Sequence, residues 1–80
     1  MNMINIICSD KYVTHTKIID IDVYKLVSEI SEFFDFISMQ LFSKELGSYT
    51  GDILNEDYID YILLVQLRNE DMQRFLKFKW

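Results

Sequence analysis

Proline and alanine are absent from this 80-residue chain, glycine occurs twice and cysteine once. The lone Cys8 has no second thiol to bridge, so the disulfide framework of a small secreted domain is excluded and a reducing compartment is expected. Gly47 and Gly51 belong to no phosphate-cradling pattern. There is no G-x-G, G-K-[ST], H-E-x-x-H or C-x-x-C anywhere in the chain, which removes the common nucleotide and zinc signatures. The longest apolar run, Tyr61-Ile62-Leu63-Leu64-Val65, is far short of the roughly 20 residues that span a bilayer. No basic region followed by an apolar stretch opens the chain, so no secretory signal is read and the cytoplasm is the expected location.

What is present is apolar and acidic. Half of the residues are hydrophobic, twelve are aromatic, and isoleucine is the commonest type with eleven copies. A chain of this length buries roughly 60–65 % of its unfolded surface, which suffices for one domain when the side chains are large. With no alanine or proline and many Ile, Asn, Lys, Phe and Tyr, the composition suggests a low-GC gene, as in many phages and mobile elements.

The net charge is −5, unevenly placed. Residues 20–60 hold ten acids and two bases, for −8; residues 68–80 hold four bases and two acids, for +2; the N-terminal stretch is +1. Such an acidic middle repels free nucleic acid.

The pattern predicts an α+β domain spanning 1–80, with a small, mainly antiparallel sheet. Met3–Cys8 reads as a strand, Ser9-Asp10-Lys11 as a turn, and Tyr12–Ile21, rich in β-branched residues, as the second strand of a β-hairpin. Asp22 stands at a helix N-cap, and Val23, Leu26, Val27, Ile30, Phe33, Phe34, Ile37 and Leu41 then follow helical spacing. A long helix from about Val23 to about Leu46 is expected, stopped by Gly47 or broken near Ser38. The two glycines mark a hinge near residue 50. Ser48–Leu54 offers a further strand. Residues 58–67 alternate as a strand does, with a helix after Asn55 as the rival. Asn69 is expected to cap a short C-terminal helix that turns Met72, Phe75 and Leu76 inward.

The segment Val65-Gln66-Leu67-Arg68-Asn69-Glu70-Asp71-Met72, with Phe75, resembles the strand–cap–helix ending of many small α+β domains, several of them phage-associated. That resemblance implies no activity, and no particular family is identified.

Chemistry-bearing constellations are sparse. Asp20-Ile21-Asp22 has the D-x-D form of some divalent-cation sites, but a strand end followed by an N-cap accounts for it. Cys8 and His15 could form a catalytic pair only if the hairpin joins them, and no third residue orients them. No cofactor, metal or enzymatic activity is expected. Arg68, Arg74, Lys77, Phe78, Lys79 and Trp80 interleave bases with aromatics, which leaves nucleic-acid binding by the C-terminal helix as a minor alternative.

The acidic groups carry the functional expectation. Glu29, Glu32 and Asp35 recur at three-residue spacing along the long helix, and Asp52, Glu56, Asp57 and Asp60 form a second group. Phe36 is expected to fall on the acidic side of that helix as an exposed interface aromatic. These eight residues predict a non-enzymatic protein-binding module. Its partner would be a host or cognate protein with a basic surface, with no membrane and no direct nucleic-acid contact. An inhibitor or regulator carried by a phage or mobile element is the most specific form of that expectation. A homodimer or larger assembly, driven by surplus aromatic surface, is the alternative; plain solubility is the competing reason for the acids.

Overall fold

The structure, a computed structural model, describes residues 2–43 and 59–78. The elements run β1 (Asn2–Ser9), β2 (Thr14–Ile21), α1 (Val23–Phe33), β3 (Phe36–Ser43), β4 (Tyr61–Leu67) and α2 (Asn69–Lys77).

The expected hairpin is present. β1 and β2 pair antiparallel from Asn2↔Ile21 to Ser9↔Thr14. Asp10 shapes the turn: its Oδ1 accepts the Val13 N–H at 2.8 Å and the Tyr12 N–H at 2.7 Å. These bonds hold the Asp10 carboxyl below its ordinary range.

Asp22 caps α1 as expected, accepting from the N–H groups of Tyr24 and Lys25 through Oδ1. The helix, however, is half the expected length. It ends at Phe33, and Phe34 is already extended at φ −130° and ψ 141°. Residues 36–43, expected as helix, instead form β3, paired antiparallel with β4 from Phe36↔Leu67 to Ser43↔Tyr61. Pairing with β4 supplies interstrand backbone bonds along residues 36–43, so tertiary contact overrides local spacing. Ser48–Leu54, Gly47 and Gly51 lie outside the described residues.

Among the described residues the strands form one sheet in the order β2-β1-β4-β3. The central pair, β1 with β4, is parallel from Ile4↔Tyr61 to Ser9↔Gln66, so the sheet is mixed and not mainly antiparallel. The strand reading of residues 58–67 is the correct one of the two, over Tyr61–Leu67. Arg68, and not Asn69, occupies the cap of α2 and makes no side-chain cap bond. Glu70 and Asp71 in the first turn, with Arg74 and Lys77 in the last, suit the helix dipole.

One apolar cluster ties the layers together. Ile4, Ile6 and Cys8 of β1 and Leu63, Val65 and Leu67 of β4 meet Val23, Leu26 and Ile30 of α1 and Met72 and Phe75 of α2. Each of these large side chains contributes about 1.5–3 kcal/mol by leaving water. No described helix is long and apolar enough to cross a membrane.

Candidate functional site

Cys8 and His15 do stand opposite each other in the hairpin. Yet Cys8 is buried, with its Sγ 3.4 Å from Met72 Sδ. Burial, helped by the nearby Asp10 charge, pushes the thiol up to about 11. Because the folded pKa is raised above the ordinary value of 9.0, the protonated thiol favours the fold. That contribution is complete below pH 9 and is lost as the pH rises toward 11. A catalytic cysteine needs the opposite shift.

At pH 8 about a tenth of an ordinary thiol is ionised, against about a thousandth here. Cys8 in the folded protein is therefore expected to react with iodoacetamide about a hundredfold more slowly than in urea, as read by mass spectrometry. Equal rates would place Cys8 at the surface.

A cleft of about 160 Å³ opens beside this pair, lined by Ile6, Cys8, His15, Lys17, Phe75 and Leu76. It is smaller than the roughly 300–1,000 Å³ of a typical small-molecule site. Asp20 lies exposed opposite Met3, and Asp22 Oδ1 is committed to the helix cap. Among the described residues no group of three His, Cys, Asp or Glu side chains could hold a metal ion.

The basic tail is engaged structurally. Arg74 donates through Nη1 to Asp71 Oδ1 at 2.9 Å and through Nη2 to the Phe33 carbonyl at 3.0 Å, and its guanidinium sits 5.4 Å from the Phe34 ring centre. It thereby satisfies a carbonyl at the end of α1 and clips the two helices together. Arg68 and Lys77 remain exposed; Lys79 and Trp80 lie outside the described residues.

The acidic candidates divide by position. Glu32 is exposed and Glu29 half-buried on α1, and Asp35 is exposed two residues beyond the helix end. None of the three makes an ion pair or side-chain hydrogen bond among the described residues. Val23, Leu26 and Ile30 turn the opposite side of α1 into the core, which leaves Tyr24, Lys25, Ser28 and Glu32 facing outward. Tyr24 is 81 % exposed.

Asp60 is at the other end of the sheet, where its Oδ2 accepts the Met3 N–H at 2.9 Å and its own N–H donates to the Met3 carbonyl at 2.8 Å. Strand rise puts it about 20 Å from the Asp35 end. Asp52, Glu56 and Asp57 lie outside the described residues.

Phe36 is exposed as expected, for a different reason. It starts the edge strand β3 and is not on the helix at all. Sequence reasoning missed Ile37 and Leu41, exposed on the same strand. The available signal was the alternation of Ser38, Gln40 and Phe42 with Ile37, Met39 and Leu41, a strand period inside an apparent helix.

No protein-family model, curated protein or solved structure matches the chain.

Proposed function

We propose that the chain is a non-enzymatic protein-binding module that meets a basic surface of its partner through the outer face of α1. One observation carries this reading: Glu29, Glu32 and Asp35 form no ion pair among the described residues, even with Lys25 on the same side of α1. Clustered like charges oppose folding slightly, while across an interface they accelerate encounter and select a partner of opposite sign. Tyr24, 81 % exposed at the start of the same face, supplies aromatic contact area. A basic groove that handles nucleic acid has the fitting chemistry. The low-GC composition favours a phage or mobile-element regulator acting on such a host protein.

The test is a bait comparison on one host extract. Immobilised wild-type protein is expected to retain a partner that heparin, a polyanion, displaces. The triple reversal Glu29→Lys, Glu32→Lys and Asp35→Lys is expected to weaken that retention at least tenfold. Equal retention by both baits would refute the proposal.

A further inference from the structure

Among the described residues the two edges of the sheet are guarded differently. β2 carries His15, Lys17 and Asp20, whereas β3, Phe36–Ser43, has no charged side chain along its eight residues. An edge strand presents unpaired backbone N–H and C=O groups, and proteins usually protect such an edge with charge or proline. β3 has neither. It also shows apolar side chains to solvent: Ile37 is 59 % exposed, Leu41 44 % and Phe36 37 %. Met39 and Leu41 oppose Val65 and Leu63, and so lie on the side covered by the helices. Phe36 opposes Leu67 on that same side. Ile37 is the extra residue where the register shifts between Phe36 and Ser38.

We propose that β3 pairs with β3 of a second copy of this chain, antiparallel about a two-fold axis through Met39, and so extends the sheet across both molecules. In that register Ile37 of each copy stands beside Leu41 of the other, and Ser38 beside Gln40. The exposed apolar residues are thus buried twice over by one symmetric contact.

Charge selects the occupant. With a net charge of −5, two copies repel in most orientations. β3 is a strip where they do not. The nearest acid, Asp35, precedes the strand, and the antiparallel arrangement holds the two Asp35 side chains about 25 Å apart by strand rise. That exceeds the screening length of about 8 Å at physiological salt. A basic partner finds its counter-charges on α1 and none on β3. The dimer contact is therefore separate from the acidic face and leaves it open.

Sedimentation equilibrium and oxidative cross-linking test this together. The wild-type protein is expected to be dimeric at micromolar concentration. The double variant Ile37→Lys, Leu41→Lys, altered only at exposed positions, is expected to weaken the dimer at least tenfold with an unchanged circular dichroism spectrum, because its ammonium groups meet in pairs. The Met39→Cys variant is expected to form a disulfide-linked dimer with diamide as oxidant, since paired Cα atoms lie about 4.5–5.5 Å apart. The control Tyr24→Cys, at a far more exposed position, is not. A monomeric wild type, a dimer indifferent to the lysines, or a dimer that Met39→Cys fails to link would each overturn the proposal. Should the double variant not fold, the cross-link alone decides.

Discussion

Leu63→Ala is expected to lower the unfolding free energy by about 3 kcal/mol, measured by urea denaturation of the purified protein. Leu63 is fully buried in the middle of β4. Its register partners are Ile6 in β1 and Leu41 in β3, and it belongs to the cluster closed by both helices. Truncation removes three carbons, a methine and two methyls, and leaves a void that neither a strand held on both sides nor the helices above it can collapse to fill. A domain of this size has a total stability of only about 4–12 kcal/mol. The same loss should depress the melting temperature by roughly 15 °C. Ile18→Ala on the edge strand β2, where the side chain is 43 % exposed, is the control and should cost less than about 1 kcal/mol. Similar losses for the two variants would mean that β4 is not the centre of the sheet.

That central position could not be read from the residues around Leu63. The strand itself was legible, because Ile59, Tyr61, Leu63, Val65 and Leu67 alternate with a more polar set, although a helix after Asn55 fits part of the same span. So were the hairpin, whose turn chemistry is local to Asp10, and the start of α1, where the Asp22 carboxylate acts on groups two and three residues away. The parallel pairing Ile4↔Tyr61 joins the two ends of the chain, and no local pattern encodes it.

The acidic face was legible in part. Glu29 and Glu32 are accessible because the helix period places them off the core, and that period is visible in sequence. The membership of Phe36 was not legible. It depended on where α1 stops, and no glycine or proline marks the stop. Phe33-Phe34-Asp35-Phe36-Ile37 is apolar enough to satisfy either period, so the decision passes to contacts made elsewhere in the fold.

Phe34 is where those contacts converge, and Phe34→Ala is expected to be the more damaging change, at about 4 kcal/mol. Its ring is 5 % exposed and lies 5.2 Å from Phe75 and 5.3 Å from Phe78, the latter edge-on, with the Arg74 guanidinium 5.4 Å from its centre. The backbone of the same residue turns from helix to strand, while its N–H still donates to the Ile30 carbonyl at 3.1 Å. One side chain therefore fixes the end of α1, the entry to β3 and the seat of α2. Removing it takes away a buried ring packed on Phe75 and Phe78 and the aromatic face on which Arg74 rests.

Hydrogen exchange should show the loss concentrated in α2 and the last turn of α1, with the β1–β2 hairpin losing only its share of global stability. Phe34→Leu, which keeps apolar volume but not the ring, should recover about half of the loss. Phe33→Ala is the discriminating comparison, since its ring is 46 % exposed and touches only Phe78 among the described aromatics. A cost for Phe33→Ala equal to that for Phe34→Ala would show that the helix continues past residue 34 and turns both rings into the core alike. That outcome would return Phe36 to the acidic face of α1 and remove β3 from the sheet edge.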